Sequence, residues 1–148
     1  MALSFGEAAA FFERSVARIE PELIEATTTV MEVARTNAQS VIGVGAPGWA
    51  PLKDTTIERK VRGGYAVPAP LKRTGQMRAG IEIEVIPMRS SVTGIVGSDD
   101  KAAVFQEMGT SRMPARPFLA YGLMEAIPSA ILLYTNVLRS LFVPGGGR

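Results

Sequence analysis

The chain contains no cysteine and no histidine. The first absence removes disulfides, thiolate nucleophiles and thiolate metal ligands. The second removes the side chain that most often serves as general base and as metal ligand near neutral pH. A Ser-His-Asp triad, a Cys-His pair and a histidine-based zinc site are therefore excluded. Enzymes can work with Asp, Glu and Lys alone, but the commonest catalytic routes are closed to this chain. Tryptophan occurs once, at Trp49. The longest uncharged run near the C-terminus, 126–138, has 13 residues, against the roughly 20 that a membrane span needs. The opening MALSFGEAAAFFERS has no basic start and is interrupted by Glu7 and Glu13, so it does not read as a signal peptide. The expectation is a soluble protein made and used without export, with no membrane contact.

What is present fits a globular chain. Its 148 residues are 47% apolar and 20% charged, enough for one domain with a real core. Net charge is +2, but it is segregated. Residues 1–50 carry six acidic and three basic side chains, −3. Residues 51–78 carry two acidic and seven basic, +5. The rest balance at six and six. The basic middle (Lys53, Arg59, Lys60, Arg62, Lys72, Arg73 and Arg78) is suited to nucleic acid or to an acidic neighbour. A solvated loop kept soluble by its charge is the simpler reading, since no aromatic series accompanies it.

Residues 4–41 predict one long helix or two stacked ones. Ser4 is placed to cap it, with Glu7 at the capping-box spacing. Phe5, Phe12, Val16, Ile19, Leu23, Val30, Val33 and Ala34 fall on one helical face. Pro21 predicts a kink or restart, and Thr27, Thr28 and Thr29 require tertiary support. Residues 43–70 predict a loop or extended arm with one helical turn near 54–61. Within it, Trp49 is an anchor that pins the arm to the core, or an interface hot spot. Residues 71–80 predict a turn or short helix. IEIEVIP (81–87) alternates, which predicts a half-buried strand. SVTGIVGS (91–98) pairs with it as a hairpin. Residues 102–108 predict a short helix or strand. Phe118 to Phe142 predicts a closing helix with Leu119, Leu123, Ile127, Ile131, Tyr134, Leu138 and Leu141 at helical spacing, kinked at Pro128. VPGGGR (143–148) reads as a flexible tail. The fold class is α+β: a small antiparallel sheet packed by a long N-terminal helix and a C-terminal helix. Its parts are 1–42, 43–70 and 71–148.

Candidate chemistry is sparse. Glu82 and Glu84 share the outward face of a strand and read as solvated. Asp99 and Asp100 lack the further acids of a calcium loop. The glycines of GVGAPG form no phosphate-binding motif, and Lys60 and Lys72 have no partners that mark a Schiff-base lysine. Glu107 stands near Arg112 and Arg116 in sequence, which predicts an ion pair closing the Gly109-Thr110 loop. No constellation supports catalysis or a cofactor.

An ordered series of short motifs remains: Trp49-Ala-Pro-Leu52, Thr56 with Lys60, Leu71 with Thr74-Gly75, Gly94 through Gly97, Phe105-Gln106-Glu107-Met108-Gly109-Thr110, and Pro114-Ala-Arg-Pro-Phe118-Leu119. In this order the series resembles the tail-completion and virion-morphogenesis proteins of tailed bacteriophages, over roughly residues 45–142. It departs from them at Ala103-Val104-Phe105, where relatives often carry Tyr-Ala or Tyr-Val. The resemblance implies a non-enzymatic structural protein of the virion neck, made in the host cytoplasm. It implies a six- or twelve-fold homo-oligomeric ring between head connector and tail tube. Partners would be the connector or stopper, the tail terminator and the tail tube, with non-specific contact to DNA in the lumen. A tail terminator and a small basic nucleic-acid-binding module are the alternatives. Interface or structural candidates are Trp49, Leu52, Lys60, Arg62, Arg73, Glu107, Gly109, Thr110, Arg112, Arg116 and Phe118. An acidic helix on one subunit is expected to suit the basic arm of the next.

Overall fold

A computed structural model describes residues 4–142; the tail 143–148 lies outside the described residues. The chain order is α1 (Phe5–Val41), α2 (Asp54–Arg62), α3 (Gln76–Ala79), β1 (Ile81–Met88), β2 (Ser91–Ser98), α4 (Lys101–Met108) and α5 (Phe118–Phe142). A two-stranded antiparallel sheet packs on the long N-terminal helix beside the C-terminal helix, so the fold is α+β.

α1 begins with the expected capping box. The Ser4 hydroxyl accepts from Glu7 N at 3.3 Å, and the Glu7 carboxylate accepts from Ser4 N at 2.8 Å. The helix does not break at Pro21 but runs unbroken for 37 residues. Pro21 is exposed, so water can satisfy the carbonyl that proline leaves without a donor. Of the three threonines, Thr27 has the expected tertiary support, and the other two bond within their own helix. Thr28 and Thr29 donate back to the carbonyls of Ile24 and Glu25, and buried Thr27 shares a 3.0 Å hydrogen bond with the Tyr134 hydroxyl.

β1 and β2 pair in one register, Ile81 opposite Ser98 through Met88 opposite Ser91. The expected alternation holds: Ile81, Ile83 and Val85 turn inward, Glu82 and Glu84 outward. Gly94 lets β2 lie close to α1, because a β-carbon there would stand 2.7 Å from Met31 Cγ.

α5 returns along α1, and the contact is set by small residues. At Gly122 a β-carbon would stand 2.4 Å from the Ala34 carbonyl oxygen and 2.8 Å from Ala38 Cβ. The buried residues of α5 are Phe118, Gly122, Ala126 and Val137. This corrects the sequence expectation: Leu123, Ile127, Ile131 and Leu138 face outward and are exposed. α5 is apolar on nearly every face, so periodicity could not choose between them. Pro128 is exposed as well, and the helix continues through it. Phe118 and Ile81 are the largest fully buried side chains. Each stabilises the fold by about 2–3 kcal/mol through burial.

Two ambiguous segments resolve as helices. Residues 54–62 form two full turns, not one, and 101–108 is helical with Asp100 accepting from Ala102 N at 2.8 Å as its cap.

Candidate functional site

The arm and the corner before α5 meet around a cavity of about 710 Å³. Its walls bring together most of the residues that the sequence singled out.

The corner is built from Glu107 to Phe118. The first amides of α5 need acceptors, and Pro117, just before the helix, has no side-chain oxygen to offer. Glu107 supplies both. Its carboxylate accepts from Leu119 N at 3.0 Å and from Ala120 N at 2.8 Å. This corrects the expected ion pair with Arg112 or Arg116: the only salt bridges among the described residues are Arg18–Glu22 and Arg35–Glu32, both within α1. A carboxylate at a helix N-terminus also gains from the helix dipole. The sequence signal was present, in a predicted helix with no capping residue of its own. Gly109 is at φ 71°, ψ 178°, where a β-carbon would meet Ala115 N at 2.7 Å. Only glycine fits both the backbone and the space. Thr110 and Met113 exchange backbone hydrogen bonds that close the loop, and the Thr110 hydroxyl accepts from Arg112 N at 3.3 Å.

Arg116 joins corner to arm. Its backbone N–H donates to the Gln106 carbonyl at 2.6 Å, and its Nη2 donates to the carbonyls of Ala50 and Pro51 at 3.0 and 3.4 Å. Arg116 is 6% exposed, and no carboxylate pairs with it among the described residues. Its Nε has no hydrogen-bond partner there, nor does the buried Gln106 Oε1. Trp49 is half-buried against the Ala38, Val41 and Phe118 cluster, the anchor of the two readings above.

The arm is held by Lys60. Its ammonium donates to the carbonyls of Ala69 and Lys72, the latter at 2.8 Å. Burial pushes Lys60 below the usual lysine value, because the charged form loses hydration there. Arg73 lies over the Tyr65 ring, 5.2 Å from its centroid, a cation–π contact that stiffens the rim. Leu52 lines the cavity; Arg62 is exposed and stands outside it.

The electrostatics are one-sided. Lys53 at the start of α2, Arg59 and Lys60 within it, Lys72 and Arg73 just after the arm, and Arg112 and Arg116 from the corner line the cavity, against Asp100 as the sole carboxylate among the described residues. Asp100 is itself engaged in capping α4. Sequence reasoning found the basic stretch but missed that residues 112–116 fold onto it, because the contact is remote in sequence: Arg116 reaches back 66 and 65 positions to Ala50 and Pro51. Asp100 and Gln106 were likewise invisible as cavity residues. Among the described residues, no three His, Cys, Asp or Glu side chains are grouped to hold a metal. What the walls offer is concentrated positive charge beside apolar Leu52 and Met113, a surface able to hold an acidic group.

Outside the cavity, α5 presents a stripe of Met124, Ile127, Ile131, Leu138 and Phe142, each more than half exposed. Val104, Phe105 and Met108 of α4 are also exposed. By length and composition α5 could cross a membrane, with mean hydropathy 1.4 over its best window, although the uncharged run alone pointed the other way. No protein-family model matches the chain, and no curated protein or solved structure matches it either.

Proposed function

We propose that the protein is a structural component of the neck of a tailed phage or phage-derived particle. In this reading it is a tail-completion or head–tail joining subunit that acts by assembling, not by catalysis. The observation that carries the reading is the uncovered stripe on α5. Its spacings of three, four, seven and four residues give a continuous apolar seam of the kind that packs against another helix or sheet. A monomer gains nothing from such a seam, and exposed apolar surface of this extent marks a contact site. The motif series from Trp49 to Leu119 supports the same reading. Among its members, Trp49, Lys60, Glu107 and Arg116 tie together the arm, the corner and the start of α5, which is an architectural role.

The test is genetic and visual. A phage in which this chain carries a stop codon should accumulate DNA-filled heads and unattached tails, and supply of the chain in trans should restore infectious particles. The protein should also be found in purified virions by mass spectrometry. Normal particle yield without the chain would sink the proposal.

The basic cavity favours one alternative, a small nucleic-acid-binding module. That reading requires the isolated protein to bind duplex DNA with an affinity that falls steeply as salt rises. It also requires the chain to be dispensable for particle assembly. α5's length raises a membrane alternative, for which flotation with lipid vesicles is the direct measurement.

A further inference from the structure

The molecule has two charged poles, and they lie too far apart to meet within one copy. The C-terminal end of α1 touches the arm beside the cavity: Gly43 N donates to the Pro70 carbonyl at 2.8 Å, and Gly43 faces Lys72. The first part of α1 points the other way. Ser140, in the last described turn of α5, donates to the Glu22 carboxylate, so residues 5–21 of α1 extend roughly 25 Å beyond that contact at 1.5 Å per residue. Residue 20 is then about 35 Å along the helix axis from Gly43, and residue 5 nearly 60 Å.

This part of α1 is covered on one side, where Ser15 is buried, but another face is open. At about 100° per residue, Phe5, Phe12, Val16, Glu13 and Glu20 fall within one sector of roughly 100°. Phe5, Phe12 and Val16 are 93%, 58% and 67% exposed. Glu13 and Glu20 are exposed and have no basic partner among the described residues. Apolar and acidic groups thus share one uncovered stripe. The cavity is its complement, with cations around apolar Leu52 and Met113. At its wall Arg116 is buried, and among the described residues its Nε has no hydrogen-bond partner and no carboxylate pairs with it. A buried guanidinium that meets only carbonyl dipoles is incompletely compensated. An incoming carboxylate would supply the missing charge.

Resting on the reading that the chain self-assembles, we infer that the open face of the first half of α1 from one copy docks at the Arg116 cavity of the next, with Glu13 and Glu20 meeting the cavity's cations. The contact joins different surfaces of the two copies, head to tail. Such a contact propagates, and it closes into a ring when the rotation per subunit divides a full turn. One docking event covers the exposed phenylalanines and compensates Arg116 together. Electrostatic matching of opposite poles also sets the direction of assembly.

The experiment uses the full chain and two charge-reversal variants, followed by light scattering after size exclusion and by negative-stain images. Glu13→Lys/Glu20→Lys alters the stripe. Lys53→Glu/Arg59→Glu alters the cavity rim at two exposed positions whose side chains make no hydrogen bond among the described residues. The wild type should assemble at low salt and lose assembly as exposed charges are screened. Each variant alone should fold with unchanged far-UV circular dichroism and assemble roughly tenfold or more weakly. Mixed one to one, the two variants should assemble again, because every stripe then finds an opposite rim. Failure of the mixture to assemble, or reversal variants that assemble like wild type, overturns the docking while leaving a self-assembling neck protein intact. A wild type that stays monomeric at every salt and concentration overturns both. If a short DNA duplex binds the wild type and not the rim variant, while assembly is unchanged in both variants, the cavity takes phosphate and the docking is overturned.

Discussion

Single residues in this protein mostly act on backbone ends. Glu107 looked in sequence like half of an ion pair, and it is instead the acceptor for two amides of α5. Glu107→Ala should therefore cost about 1–2 kcal/mol, the range for a lost helix cap with partly buried donors. Glu107→Gln, which keeps one oxygen, should cost less. The urea midpoint should fall at unchanged slope; an unchanged midpoint in the alanine variant would remove Glu107 from this role. Glu7 gives a second prediction. Its pKa is lowered from 4.5 by hydrogen bonds from the Ser4 hydroxyl and backbone. A depressed carboxylate contributes its support in full above the unfolded-state pKa and loses it as pH falls through the lower folded value. The Ser4 amide resonance should therefore titrate below pH 4.5 and become flat in Glu7→Gln. Titration at or above that value would mean that the capping box does not form in solution.

At the scale of elements, much of the fold could be read from the residues, for reasons that differ by element. The capping box at Ser4 and Glu7 and the period-two pattern of Ile81, Ile83 and Val85 are local signals, and both elements formed where expected. α5 formed where expected with the wrong face inward. Its large aliphatics outnumber what one face needs, and the buried face was chosen by Gly122 and Ala126, whose value is their lack of volume. Sequence periodicity weighs hydrophobicity and is blind to a contact made by small residues. The basic cavity was half legible for a similar reason: residues 53–73 advertise their charge, but nothing local tells that Arg112 and Arg116 fold onto them. Gly122 allows a sharp test. In an exposed helix interior, Gly→Ala stabilises by about 1 kcal/mol. Here the added β-carbon would stand 2.4 Å from the Ala34 carbonyl oxygen, and forcing the helices apart costs typically ~1–3 kcal/mol. Gly122→Ala should thus lower the melting temperature or leave it level, and Gly122→Val should lower it clearly. A Gly122→Ala protein more stable than wild type would show that α1 and α5 do not approach this closely.

On the scale of the whole molecule, stability and assembly are carried by different surfaces. The core runs along the α1–α5 contact and under the sheet, through Ala34, Ala38, Ile81 and Phe118. The apolar seam of α5 faces the opposite way, and the acidic and basic poles lie at separate ends of the molecule. Substitutions on the seam should leave folding almost untouched, because exposed positions usually change stability by less than about 0.5 kcal/mol. Ile127→Lys/Ile131→Lys breaks the seam at two positions that are 53% and 64% exposed. The variant should melt like wild type yet fail to enter particles, and its expression should yield the heads and free tails expected of the null. If it melts several degrees lower, the seam belongs to the fold and the monomer buries it. If it melts like wild type and enters particles normally, the seam is idle surface and loses its claim as the assembly face. If wild type floats with lipid vesicles and the variant does not, the seam meets acyl chains, and the neck reading gives way to a membrane one. The stability measurement must come first, because only a variant that folds as well as wild type can show that the seam serves assembly.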